Sequence, residues 1–290
     1  MNRLARFREF FGLQRSILGL LSMVILVGMG EKLAERFLPI YILALGGGAI
    51  AVGALNGIDN LLSALYSFPG GYLANRFGTR RSLLVFNAMA MAGFLIVILI
   101  PAWPAVLAGS VLFLSWTAIS LPATMGLVAR VLPRNKRTMG VSVHSLVRRI
   151  PMALGPIVGG LFIDAWGPRA GVRMAFGAAL GMAIVAMILQ QRLIEPDPPR
   201  SSSAGAAHDA ERNPFRLFHR MSPALRNLLV SDILVRFCEQ IPYAFVVIWC
   251  LQSIENPVSA TDFGILTAIE MAVAMTVYIP VAYLADRSGK

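Results

Sequence analysis

The sequence predicts an all-α polytopic membrane protein, and three observations carry that prediction. Of the 290 residues, 57% are hydrophobic and only 14% are charged, whereas soluble chains carry about a quarter charged residues. Apolar stretches long enough to cross a bilayer recur along the chain, separated by short turns. The Lys and Arg residues behind the net charge of +11 gather in alternate turns. In a soluble protein that charge would point to nucleic acid. Here it sets topology, and no basic motif with interleaved aromatics accompanies it, so no nucleic-acid partner is expected.

About eight segments qualify, at roughly 16–45, 49–74, 82–100, 104–131, 140–163, 170–190, 224–250 and 261–284. Each must be helical, because lipid offers no partner to an open backbone. Arg3, Arg6, Arg8 and Arg15 precede the first segment and mimic a signal peptide. The apolar run continues to Leu45 without a small-residue cleavage site, so the segment is expected to stay as an anchor. Pro101-Ala-Trp-Pro104 makes the turn between the third and fourth segments.

Loop charges set the orientation. Arg76, Arg80 and Arg81 follow the second segment, and Arg130, Arg134, Lys136 and Arg137 follow the fourth. Arg192, Arg200, Arg212, Arg216, Arg220 and Arg226 follow the sixth. The stretches 46–48, 101–104 and 251–260 have no Lys or Arg, and the loop after the fifth segment has only Arg169 and Arg173. The positive-inside rule then places the N-terminus in the cytoplasm of a multi-pass plasma (inner) membrane protein.

The stretch 191–223, with Pro-Asp-Pro-Pro at 196–199, reads as a flexible cytoplasmic linker. Cys238 and Cys250 share one apolar segment, lie too far apart along it to bridge, and have no metal-ligand spacing.

Residues 53–79 align on 264–290 without a gap. Gly53 meets Gly264, Pro69 meets Pro280, Tyr72-Leu73-Ala74 meets Tyr283-Leu284-Ala285, and Arg76 meets Arg287. An acid recurs at one depth, Asp59 against Glu270. Segments one and two thus restart at seven and eight. The expected organisation is a six-helix bundle over 1–190, the linker 191–223, and the first two helices of a second bundle over 224–290.

The turn after the second segment reads Gly71-Tyr-Leu-Ala-Asn75-Arg76-Phe-Gly78-Thr-Arg80-Arg81. It resembles the loop motif between helices two and three of the major facilitator superfamily, Gly-x-Leu-x-Asp-Arg-x-Gly-Arg-Arg. Asn75 stands where that pattern has Asp. The second copy keeps the acid, in Asp286-Arg287-Ser-Gly289. Gly155-Pro156-Ile-Val-Gly159-Gly160 is similar to the core of a motif that marks exporters and antiporters of the superfamily. Small residues at this spacing also serve plain helix packing. The resemblance implies a major-facilitator-like six-plus-six helix architecture, with four further helices beyond Lys290. It implies a secondary active transporter working by alternating access, not an enzyme, and proton-coupled export of a drug-like or metabolite solute. A lipid or lysolipid flippase of the same superfamily is the alternative. A polytopic membrane enzyme or receptor is the reading from another class, and no nucleophile–base or phosphate-loop pattern supports it.

Ionisable groups inside spans cost about 3 kcal/mol each on insertion scales, so each needs a reason. The candidates for substrate binding or proton coupling are Glu31, Glu35, Arg36, Asp59, Arg148, Arg149, Arg236, Glu239 and Glu270. Glu31 and Glu35 share a helix face, and Lys32 and Glu35 are spaced to pair locally. Asp59, Glu31 and Glu35 are the proton-coupling candidates, while the arginines suit an anionic or zwitterionic group. His144 reads as a polar residue near a helix end. Pro39, Pro122, Pro151, Pro156, Pro242 and Pro280 are expected to kink helices. The expected partners are the lipid bilayer, a small-molecule substrate and protons, with no cofactor or metal and a monomer as the expected state.

Overall fold

The computed structural model describes residues 15–114, 116–131, 137–194 and 222–287. Most of the expected linker, the N-terminal tail before Arg15 and Gly289 lie outside the described residues. The chain forms nine α-helices among them. These are α1 (Arg15–Glu35), α2 (Leu38–Ala44), α3 (Ala49–Phe77), α4 (Thr79–Leu99), α5 (Trp103–Phe113), α6 (Trp116–Val131), α7 (Arg137–Leu193), α8 (Pro223–Ile248) and α9 (Ala260–Arg287). A short π-helical turn, Trp249–Ser253, extends α8.

Glycine and proline punctuate this order. α1 and α2 divide one apolar segment at Arg36–Phe37, just before Pro39. Proline has no N–H to give the carbonyl four residues back, and its ring crowds that carbonyl. Here that residue is Glu35, so the helix breaks beside its charged cluster. Gly78 has φ +86° and joins α3 to α4 without a spacer. Gly167, at φ +76°, with Pro168 turns a sharp corner inside α7, which is therefore two helices meeting end to end. Only glycine adopts such a φ without strain.

The turns at 45–48, 100–102, 164–168 and 254–259 gather at one end of the molecule, called here the Gly167 end. Gly78, the start of α7 and the start of α8 mark the opposite, Gly78 end. Arg169 Nε donates to the Ala44 carbonyl, and Arg173 Nη2 donates to the Ile98 carbonyl at 2.8 Å. Those bonds tie the Gly167 corner to two neighbouring turns.

Four helices among the described residues are long and apolar enough to cross a membrane by length and composition: Thr79–Leu99, His144–Leu193, Pro223–Ser253 and Ala260–Val277. Large apolar side chains such as Leu61, Val85, Leu99, Ile184 and Ile188 face outward. In water that would be costly; in lipid it is the favoured arrangement. Packing, rather than apolar burial, must then hold the helices together. Phe94, Phe113 and Phe176 interlock at centroid distances of 5.3–5.7 Å. Gly93 and Gly109 bring the backbones of α4 and α5 together: a Cβ on Gly93 would lie 2.7 Å from the Gly109 carbonyl oxygen.

A polar chain runs through this core. Trp116 Nε1 donates to Asn87 Oδ1 at 2.9 Å, and Asn87 Nδ2 donates to Gln190 Oε1 at 2.8 Å. Gln190 Nε2 donates to the Arg80 carbonyl at 3.0 Å, and Arg80 in turn donates to the Gln191 carbonyl. Asn87 and Gln190 are fully buried.

Candidate functional site

A small cleft, open at its mouth, lies where α1 and α2 meet α3 and α8. Its polar wall is Glu35, Arg36, Asn56, Asp59 and Tyr243, and Leu55, Leu114 and Val247 are among its apolar residues. The break at Pro39 positions the first two polar groups. Asn56 and Asp59 lie three residues apart on α3 and so share a face. Asn56 Nδ2 donates to the Gln240 carbonyl at 2.9 Å, so α3 grips α8 beside the cleft.

The charges around it form a chain. Lys32 pairs with Glu35 and reaches Glu31 at 3.8 Å. Glu31 is buried, at 3% exposure. Arg36 Nη2 donates to Glu270 Oε2 at 3.2 Å, from the α1–α2 turn to α9. The Arg36 guanidinium also lies 4.0 Å from the Tyr243 ring centroid on α8 and 6.0 Å from that of Phe263 on α9. Arg36 therefore holds three elements by an ion pair and two cation–π contacts. Asp59 makes no hydrogen bond or ion pair among the described residues, and its carboxylate faces the cleft.

The structure thus brings together Glu31, Glu35, Arg36, Asp59 and Glu270. Glu35, Arg36 and Asp59 line the cleft, whereas Arg148, Arg149 and Glu239 are not on its wall. Arg148 and Arg149 are half-buried on the first part of α7. Glu239 is exposed. The face of α8 turned inward carries Gln240, Ala244 and Val247, at i, i+4 and i+7. Glu239 lies off that face. The side chain of Arg236 lies outside the described ones.

The glycine motif lies on the seam between α7 and its partners. A Cβ on Gly155 would come 2.7 Å from Lys32 Cβ, and one on Gly159 would strike the Leu33 carbonyl. Gly160 faces Ala260 in the same way, and Gly264 on α9 faces Pro156. One glycine-rich face of α7 thus meets α1 and α9 at backbone contact. In the loop motif, Arg76 is exposed with its guanidinium 5.6 Å from the Phe77 ring, and Arg81 is exposed. Gly71 and Asn75 belong to α3 and Asp286 and Arg287 to α9, with side chains outside the described ones.

Sequence reasoning passed over Asn56, Tyr243 and Asp164. Asp164 Oδ1 accepts from the Ala260 N–H at 3.0 Å, and its Oδ2 accepts from the Thr261 N–H at 2.9 Å. The available signal was an acid at a helix end, two residues before the Trp166-Gly167-Pro168 corner. His144 is buried near the Gly78 end.

A fold that is helical among the described residues, with apolar outer faces and charged groups gathered at a helix break, is that of a multi-pass membrane protein. The family model for the Major Facilitator Superfamily matches residues 18–290, and the chain belongs to that family. No curated protein matches the chain. Among solved structures, a bacterial homologue of the human lysosomal transporter Spinster, inward-facing and unoccupied, is similar at TM-score 0.74 and 16% identity. That similarity covers 98% of this chain and 63% of the homologue, so the chain spans less than two thirds of its length. A mutant of the peptide transporter POT bound to alafosfalin aligns at TM-score 0.62 and 15% identity, covering 93% of this chain and 68% of that one. A D-xylose–proton symporter aligns at TM-score 0.59 and 14% identity, covering 93% and 69%. At these identities the likeness is one of fold.

Proposed function

We propose that the protein is a proton-coupled secondary transporter of small solutes that works by alternating access, with export as its direction. The carrying observation is Asp59, a carboxylate that makes no ion pair or hydrogen bond among the described residues. It faces a cleft between the first helices and α8. A carboxylate at membrane depth is costly to keep charged unless it is paired or solvated. Loading and releasing a proton relieves that cost in one state and restores the charge in another. Glu35, held by Lys32, is the second acid of the cleft. Tyr243 and the apolar wall suit an amphipathic solute.

On this reading residues 1–190 form one bundle, 191–223 the linker, and α8 and α9 open a second bundle. Arg36–Glu270 and Asn56–Gln240 then cross between bundles that rock about the site. The loop charges support a cytoplasmic N-terminus in a plasma membrane, and the glycine motif supports export.

The test uses everted membrane vesicles from cells expressing the full-length gene. A proton gradient is established and read with a pH-sensitive dye while a panel of amphipathic cations, zwitterions and anions is added. A transported solute dissipates the gradient. Asp59→Asn and Glu35→Gln, inserted at normal levels, should each lower that response at least about tenfold. Normal gradient-driven transport in both variants removes these acids from the mechanism.

A further inference from the structure

The first four N–H groups of a helix have no partner within it. In α9 each has one, and the partners come from two sources. Phe263 N–H bonds the Ser259 carbonyl at 3.0 Å and Asp262 N–H bonds Ser259 Oγ at 3.0 Å, both within the chain just before the helix. Ser259 Oγ in turn donates to Asp262 Oδ2 at 2.7 Å, so the local cap is saturated. The remaining two, Ala260 and Thr261, are satisfied among the described residues across the seam, by the two oxygens of Asp164 on α7. A carboxylate at this position also meets the positive end of the α9 dipole.

The setting makes this more than an ordinary cap. Asp164 sits on the rigid Gly167 corner, which Arg169 and Arg173 tie to the turns after α2 and α4. Around it, Gly160 and Gly264 hold the backbones of α7 and α9 too close for a side chain or water to intervene. Phe37 on the α1–α2 turn meets Phe263 edge-on, at 6.1 Å between centroids, on the same side. These contacts from the first seven helices to α9 lie toward the Gly167 end.

We propose that Asp164 is a positioning residue of the transport cycle: its carboxylate latches α9 and holds the Gly167 end closed. The proposal rests on the alternating-access reading above. Opening that end requires α9 to leave α7, and two amides then lose the acceptors that Asp164 gives them. The latch sets how often that happens.

The experiment measures conformation and needs no substrate. Protein in nanodiscs, with Cys238→Ser and Cys250→Ser, carries spin labels at Ala170→Cys and Glu255→Cys across the Gly167 end. A second preparation carries them at Ser145→Cys and Asn227→Cys across the Gly78 end. Distances are read by pulsed electron resonance. Asp164→Ala should shift the ratio of long to short distances at the first pair on the order of tenfold. The second pair should shorten in step. Asp164→Asn keeps the shape and one acceptor, so its shift should be smaller and in the same direction. Unchanged distributions in both variants overturn the latch. Lengthening at both ends also overturns it, because the contact would then be simple glue. A shift in Asp164→Ala alongside normal gradient-driven transport in Asp59→Asn would keep the latch and remove the coupling reading.

Discussion

Two polar constellations lie inside this protein, and they are built differently. The Trp116–Asn87–Gln190–Arg80 chain is closed through its middle: the Trp116 indole and the Asn87 and Gln190 amides each donate to an acceptor of the chain, and all four residues belong to α4, α6 and α7. The cluster around the cleft is open. Lys32, Glu35 and Arg36 are paired, but Asp59 makes no hydrogen bond or ion pair among the described residues, and the partners Glu270 and Tyr243 come from α9 and α8. A closed network fixes one arrangement, since any shift breaks a bond in a dry interior. An open one leaves a group free for something that comes and goes. Both are polar and both sit among apolar helices, so polarity alone does not mark a site. Incomplete pairing among groups from separate helices is what sets the cleft apart.

Breaking the closed network should be the larger blow to stability. Asn87→Leu strands Trp116 Nε1 and Gln190 Oε1 in the core, at a cost of about 2 kcal/mol. Thermal unfolding in detergent should move down by several degrees. Asp59→Asn should leave the unfolding midpoint where it was. Equal losses of stability in the two variants would erase the distinction. A smaller effect is expected at Arg36→Lys. The charge toward Glu270 survives, but the flat guanidinium over Tyr243 does not, a difference of about 1 kcal/mol. Transport in the vesicle assay should fall about fivefold with little change in unfolding temperature.

The fold was legible because glycine, proline and charge punctuate apolar runs. The repeat pairs residue 49 with residue 260, and α3 and α9 begin at Ala49 and Ala260. The break at Pro39 was readable as a kink, but not its consequence of setting Glu35 and Arg36 at a helix end. Within the site, Lys32–Glu35 could be read from three-residue spacing. Arg36–Glu270 joins residues 234 positions apart, and no local pattern encodes it. Asn56 and Tyr243 carry no charge and looked like ordinary span residues. Glu239 drew notice by its charge, but its helix face turns it outward. Depth along a span is readable from sequence, whereas the face a side chain presents depends on which neighbours pack.

The central claim is that Asp59 in the open cluster takes up and releases a proton. Infrared difference spectra of the protein in nanodiscs, recorded while pH is stepped through neutrality, test it without a substrate. A protonated-carboxyl band should appear and vanish reversibly in the native protein and be absent in Asp59→Asn, while remaining in Asn87→Leu. A band that persists unchanged in Asp59→Asn would contradict the account.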